Sequence, residues 1–197
     1  MKWLRQLVCS TAVVGCIAMA SFDCVANVVS PGLSYQIYID SSDFSPDNLG
    51  NLFIGISQWE AQEHMSLKIV LQRQPLLPPD LSANDIIYIV GRPGSFFEQG
   101  LSPCNGKDVV GCTYTYATQS SDIYLDTDVS GDDAVQLATH ELGHAFGLRH
   151  IVQPSVMHWQ LDHVSELTCQ DLQEFEAVRG DFSRNCDPHW TLDTIDP

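Results

Sequence analysis

The chain has 197 residues, of which 44% are hydrophobic and 17% are charged. These proportions are typical of a folded globular domain and exclude a disordered, collagen-like or repetitive chain. Acidic residues number 25 against nine basic residues, which gives a formal net charge of -16. A surface of this charge repels phosphate groups, so nucleic acid is excluded as a partner and anionic membranes are disfavoured.

Residues 1–26 have the pattern of a signal peptide. Lys2 and Arg5 form a positively charged start, and the nearly uncharged run 7–22 is apolar but shorter than a comfortable membrane span. Small residues predict cleavage after Ala26, with Ala20 as the alternative. Cleavage after Ala26 leaves an even number of cysteines, which suits an oxidising compartment, whereas cleavage after Ala20 leaves an odd number.

The predicted mature chain, residues 27–197, forms one domain that is secreted, with a periplasm as the alternative location. A lipid anchor on Cys16 is a further alternative because residues 13–16 resemble a lipobox. The residues that follow Cys16 are apolar, however, and are poorly suited to serve as the polar linker between a lipid anchor and a folded domain. We expect a monomer that has no stable membrane insertion after the signal peptide is removed.

The hydrophobic pattern predicts strands and helices in mixed order. Strands are predicted at 33–40, 67–71, 85–90, 113–117 and 123–125. Helices are predicted from Ser45-Pro46 through Gln62, from Asp133 through Leu148, and from Cys169 to Arg179. Thr168 and Asp171 form a variant of the capping box at the start of the last helix. The segments 75–79 and 91–111 are predicted to be loops.

The string HELGHAFGLRH, residues 140–150, carries the strongest chemical signal. His140 and His144 are four residues apart on a predicted helix, so their rings project from one face within reach of one metal ion. Glu141 sits beside them without having to be a ligand. Gly147 can adopt a left-handed backbone conformation, which ends the helix and turns the chain back so that His150 becomes the third ligand.

Three imidazoles leave the fourth tetrahedral position of a zinc ion to water, whose pKa the metal lowers toward neutrality. Glu141 can deprotonate and orient that water, so the pattern predicts a hydrolytic site with one catalytic Zn²⁺. For this composition the whole pattern arises by chance roughly twice in a hundred thousand sequences. A purely structural zinc site is the stronger rival, but such sites are normally closed by four protein ligands.

The eleven-residue string resembles the signature of the metzincin metallopeptidases, and its surroundings are most similar to the matrixin branch, the matrix metalloproteinase catalytic domains. The resemblance covers most of residues 33–180. It implies an α+β, zincin-like fold with a twisted five-stranded mixed sheet, two long helices and a C-terminal helix after a Met-turn. Ser155-Val156-Met157 stands at the place of that turn, which implies that Met157 lies beneath the three imidazoles.

The resemblance implies a zinc-dependent endopeptidase that acts on a protein or peptide substrate through a zinc-bound water activated by Glu141. It also implies that the substrate pairs with the edge strand 113–116 as an additional antiparallel strand. Two alternatives remain, a non-catalytic binding protein on a zinc-stabilised scaffold and a maturation protease dedicated to one partner protein. Ca²⁺ at Asp126 and Asp128 is implied as a second metal, with solvated turn carboxylates as the alternative.

Four cysteines follow the predicted cleavage after Ala26, and they allow three pairings. Proximity along the chain favours Cys104 with Cys112, which would close the loop before the fourth strand. It also favours Cys169 with Cys186, which would tie the last helix to the tail.

Overall fold

The computed structural model of the protein describes residues 33–62, 65–72, 85–99, 109–116, 120–151, 154–161, 163–180 and 186. The predicted signal peptide, the predicted 75–79 turn and Cys104 lie outside the described residues. None of the helices in the described ranges has the length and apolar character needed to cross a membrane.

Five strands and four helices follow one another in the described ranges. They are β1 (Leu33–Asp40), α1 (Pro46–Glu60), β2 (Met65–Gln72), β3 (Ile86–Arg92), α2 (Gly94–Glu98), β4 (Gly111–Thr115), β5 (Ser121–Asp126), α3 (Asp132–Ala145) and α4 (Cys169–Val178).

The strands form one sheet in the order β2-β1-β3-β5-β4. Strands β2, β1, β3 and β5 are mutually parallel. Strand β4 runs antiparallel to β5 and forms one edge of the sheet. The predicted α+β architecture with a five-stranded mixed sheet is therefore confirmed. The other edge of β4 pairs with no strand among the described residues, and the Thr113 side chain of β4 contacts α3.

The core lies between the sheet and the two long helices, α1 and α3. Successive strand residues point to opposite faces, so alternate residues of each strand face the helices. These residues are nearly inaccessible in the three central strands, namely Tyr35, Ile37, Ile39, Ile87, Ile89, Ile123 and Leu125. Trp59 of α1 packs into the same core, and its indole N–H donates to the Thr139 carbonyl oxygen of α3 at 2.9 Å. This packing holds α3 at a defined place beside β4.

Several predicted boundaries were wrong; β2, β3 and β5, for example, each extend one or two residues beyond a predicted end. The segment 91–111, predicted to be a loop from its Gly and Pro residues, contains the short helix α2. Burial of Phe97 stabilises this single helical turn. The strand predicted at 113–117 begins earlier, at Gly111, which pairs with Leu125. The helix predicted to reach Leu148 ends at Ala145. Leu148 lies outside the helix but is buried, so an apolar residue stands there and continues the helical pattern in the sequence.

The last helix begins where the sequence predicted. Thr168 Oγ1 accepts a hydrogen bond from the Asp171 backbone N–H, and the Asp171 carboxylate accepts one from the Thr168 N–H, which confirms the capping box. The predicted Cys169–Cys186 disulfide is also confirmed. Cys112 is disulfide-bonded, but its pairing with Cys104 stays a prediction because Cys104 lies outside the described residues.

Candidate metal centre

The end of α3 determines where the third histidine lies. Gly147 adopts a φ of +95°, a conformation that glycine reaches without steric cost. Its N–H donates to the His144 carbonyl oxygen at 3.0 Å, and the Leu148 N–H donates to the Gly143 carbonyl oxygen at 2.9 Å. This pair of bonds is the Schellman motif, which ends a helix and reverses the chain. The reversal brings His150 to the face of α3 that carries His140 and His144.

The three histidines converge on one point. One ring nitrogen of each lies within 4.8 Å of the corresponding nitrogens of the other two. Nε2 of His144 lies 3.1 Å from Nε2 of His150, and the three ring centroids are 4.6 to 5.2 Å apart. In the part of the chain that the structure describes, His140, His144 and His150 form the single group of three or more ligating side chains with metal-site spacing.

Backbone carbonyl groups orient two of the rings. Nδ1 of His140 lies 2.7 Å from the Val156 carbonyl oxygen, and Nδ1 of His144 lies 2.9 Å from the Leu148 carbonyl oxygen. A carbonyl oxygen only accepts hydrogen bonds, so each Nδ1 carries the hydrogen and each neutral ring keeps a free lone pair on Nε2. Metal-ligating histidines are oriented in this way by groups behind them.

The electrostatic environment keeps the rings neutral. Burial and, to a lesser extent, the neighbouring His144 lower the pKa of His140 to about 3. Burial also lowers the pKa of His144 and of His150. Zinc binds the neutral imidazole, and three nitrogen donors at this spacing are a common ligand set for it. Because His150 is exposed, the group is also accessible from solvent. These residues therefore fit a zinc ion.

Glu141 follows the first ligand on α3 but does not belong to the metal-binding group. Its side chain is buried, and Oε2 accepts a hydrogen bond of 2.7 Å from Thr113 Oγ1 of β4. Burial raises the pKa of Glu141 to about 7, and the hydrogen bond from Thr113 acts in the opposite direction. A buried carboxyl group beside metal ligands has the location of a general base. In the sequence, Thr113 is recognisable only as a strand residue.

Met157 lies against the helix that carries two of the histidines. It is fully buried, and its Sδ contacts the α-carbon region of Gly143 so closely that a Cβ at Gly143 would overlap it. The Met157 carbonyl oxygen accepts a hydrogen bond of 2.9 Å from the Ile151 N–H, immediately after the third histidine. The segment after His150 thus returns to pack beneath α3.

A buried carboxylate from α4 holds that segment in place. Asp171 is fully buried and accepts hydrogen bonds from the backbone N–H groups of Val156 at 3.1 Å and Met157 at 3.2 Å. It accepts two more from Thr168. The sequence indicated only the capping contact with Thr168, because no local pattern reports a hydrogen bond to a loop that precedes the helix.

The carboxylates for which the resemblance implied Ca²⁺ are engaged with backbone amides. Asp126 Oδ1 accepts a hydrogen bond from the Asp128 N–H at 2.8 Å, and Asp128 Oδ2 accepts one from the Gly94 N–H at 3.0 Å. Neither belongs to a group of three ligating side chains among the described residues. These contacts favour the alternative interpretation, in which both are turn carboxylates.

No family model matches this chain, and no curated protein matches it. The structure of myroilysin, a metalloprotease, is similar with a TM-score of 0.50 and a sequence identity of 12%. The match covers 82% of this chain and 98% of the myroilysin chain. At this identity the similarity shows the fold alone. The five-stranded mixed sheet and four helices are consistent with a zincin-like fold that carries a three-histidine site able to hold a metal ion.

Proposed function

We propose that this protein is a secreted zinc endopeptidase. The observation that carries the proposal is the convergence of His140, His144 and His150 on one point next to the buried carboxyl group of Glu141. This arrangement combines a ligand set for zinc with an adjacent proton acceptor, which is the chemistry of metal-assisted hydrolysis. The fold shared with myroilysin supports the same class of enzyme.

His140 and His144 would hold the ion through Nε2, which the Val156 and Leu148 carbonyl groups leave free, and His150 would supply the third nitrogen. When bound, a zinc ion acts as a Lewis acid and lowers the pKa of water enough to supply a nucleophile near neutral pH. Met157 and the segment around it support the histidines from below as an apolar floor, in the manner of the Met-turn that Ser155-Val156-Met157 resembles.

Glu141 performs the proton transfers. Its carboxylate accepts a proton from the attacking water and then delivers that proton to the nitrogen of the leaving amine, which completes cleavage of the peptide bond. The residue is suited to this role because it follows His140 directly on a rigid helix. Its carboxyl group is also shielded from bulk solvent.

The edge strand β4 binds the substrate backbone. It pairs with β5 along one edge, and its other edge pairs with no strand among the described residues. The Thr113 side chain of this strand contacts α3 at Glu141. An extended peptide can add to such an edge through main-chain hydrogen bonds, which recognise the peptide backbone independently of side chains. A protein or peptide is therefore the proposed substrate.

The family and the location of the protein are part of the same proposal. The Ser155-Val156-Met157 segment and the five-stranded sheet support a matrixin-like metzincin. The signal-peptide pattern and the Cys169–Cys186 disulfide support secretion into an oxidising compartment, where the proposed enzyme acts as a monomer.

The test compares the purified protein with its Glu141→Gln variant on a broad peptide library, with zinc content measured in both. Glu60→Gln is the matched control, because Glu60 is exposed at the end of α1. We expect one zinc ion per chain in all three proteins. We expect cleavage by the parent and the control, and a loss of at least about 100-fold in Glu141→Gln.

Two results would contradict the proposal. If the parent protein bound no zinc, the three histidines would not be a zinc site. If Glu141→Gln cleaved peptides as fast as the parent, Glu141 would not be the general base. One zinc ion per chain with no cleavage of any library peptide would favour a protease dedicated to one partner protein or a non-catalytic binding scaffold.

A further inference from the structure

We propose that Thr113 is a positioning residue for Glu141: its hydroxyl group holds one carboxylate oxygen and thereby fixes the orientation of the carboxyl group for proton transfer. The inference rests on the proposed function. It concerns a residue of the edge strand, 28 positions before Glu141 in the sequence.

Two residues on the same face of β4 enclose the Glu141 carboxyl group. Thr113 Oγ1 lies 2.7 Å from Oε2 of Glu141. Oε1 lies against Gly111, where a Cβ would come within 2.5 Å of it. Residues two apart in a strand share a face, so Gly111 supplies the space and Thr113 the hydrogen bond. We call these two residues the β4 cradle.

The hydroxyl group of Thr113 has two acceptors within reach. Besides Oε2 of Glu141, its Oγ1 lies 2.8 Å from the backbone carbonyl oxygen of Glu141. A hydroxyl group has one hydrogen, and the ionised carboxylate and the carbonyl oxygen both only accept, so Thr113 donates fully to one of them at a time. If the carboxylate moves during proton transfer, the hydroxyl can turn to the carbonyl oxygen and no buried donor is left without a partner.

Threonine suits this role better than other residues of its size. Its branched Cβ restricts rotation about χ1, so the hydroxyl group is held toward α3. Valine has the same shape but would place a methyl group against a buried carboxylate. Serine would keep the hydroxyl group. A residue needed only for packing would tolerate valine, and a positioning residue would tolerate serine.

Steady-state kinetics of Thr113→Val and Thr113→Ser on a peptide cleaved by the parent test this inference. Loss of a hydrogen bond to a charged group predicts a fall in kcat of about 10- to 100-fold for Thr113→Val. KM should change by less than about twofold, because the bond acts on the proton acceptor and not on substrate binding. Thr113→Ser should retain kcat to within about threefold.

Thr127→Val is the matched control. Thr127 is half-buried and lies outside β4, and its hydroxyl group donates to the Arg92 carbonyl oxygen at 3.3 Å instead of to Glu141. We expect its kcat to stay within about threefold of the parent value, and zinc content to equal that of the parent in every variant. An unchanged kcat in Thr113→Val would overturn the proposal, and so would a loss in Thr113→Ser as large as that in Thr113→Val.

A double-mutant cycle tests the same contact without enzymatic activity. The unfolding equilibrium is measured for the parent, Thr113→Val, Glu141→Ala and the double variant. We expect Thr113→Val to shift the equilibrium constant about 10-fold in the parent and less than about threefold in the Glu141→Ala background.

The cycle separates failure of this inference from failure of the proposed function. Equal shifts in the two backgrounds would overturn the role of Thr113 even if the protein cleaves peptides. Unequal shifts in a protein that cleaves nothing would keep the contact between Thr113 and Glu141 and reject the peptidase.

Discussion

Nδ1 of His140 lies 2.7 Å from the carbonyl oxygen of Val156. The backbone N–H of Val156 and that of the next residue, Met157, donate to the buried carboxylate of Asp171. A capping residue of α4 therefore supports, through one short backbone segment, a histidine of the candidate metal centre on α3. Two distant helices determine the orientation of one ring.

We expect Asp171→Asn to destabilise the protein and weaken its zinc site together. The amide cannot accept every hydrogen bond that the carboxylate accepts, and its NH₂ group would face buried backbone N–H donors. The expected loss in free energy of unfolding is about 3 kcal/mol, measured by urea denaturation. Zinc affinity should fall by about 10-fold or more, as for other residues that orient a ligand, measured by competition with a chelator.

Asp47→Asn is the control for this change. Asp47 also lies in the first turn of a helix but is exposed, so we expect a change in stability within about 0.5 kcal/mol. Asp171→Asn with the zinc affinity of the parent would show that the Val156 carbonyl group does not depend on Asp171 for its position.

Gly143→Ala should destabilise the protein although alanine favours helices. A Cβ at Gly143 would overlap Met157 Sδ and lie 3.3 Å from Trp59 Cζ2. Overpacking of this kind costs about 1 to 3 kcal/mol. Gly50→Ala, in the exposed part of α1, meets nothing within 4 Å and should stabilise by about 0.5 to 1 kcal/mol. Thermal unfolding of both variants measures the difference, and equal stabilisation would show that Met157 has room to move.

Zinc should raise the melting temperature of the parent but not that of His150→Ala. At a free zinc concentration of about 1,000 times Kd, binding to the folded state adds about 4 kcal/mol. For a chain of this size that corresponds to an increase of roughly 8 to 16 °C. His150→Ala loses one of the three nitrogen donors and should show a much smaller increase.

The control for this prediction is His163→Ala. The His163 side chain is 79% exposed and pairs with Asp133 away from the three-histidine group, so its response to zinc should equal that of the parent. If His150→Ala responded to zinc as the parent does, His150 would not be a ligand.

Removal of the disulfide at α4 should destabilise the fold. Cys169 and Cys186 are separated by 17 positions, and closing a loop of this length restricts the unfolded chain by about 3 kcal/mol. The variant with serine at both positions should therefore unfold at a lower urea concentration than the parent. Because Cys112 also forms a disulfide, substitution isolates this bond better than a reductant does. An unchanged midpoint would show that the bond adds no constraint.

Local patterns predicted the elements that depend on residues close in sequence. The capping box of Thr168 and Asp171 and the reversal at Gly147 were both predicted and are both present. The short helix α2 was missed because burial of Phe97 against the rest of the domain outweighs the local preference of its glycine and proline neighbours.

By itself the sequence determined which three histidines come together and which carboxyl group follows the first of them. A helix places residues i and i+4 on one face, and a glycine with positive φ can reverse the chain, so the spacing of His140, His144 and His150 was sufficient. Only the tertiary structure decided which groups bond to these side chains. The Val156 carbonyl group, 16 positions away, bonds to His140, and the Thr113 hydroxyl group, 28 positions away, bonds to Glu141. Those contacts join segments that meet only when α3 packs on the sheet, and no local pattern encodes such a meeting.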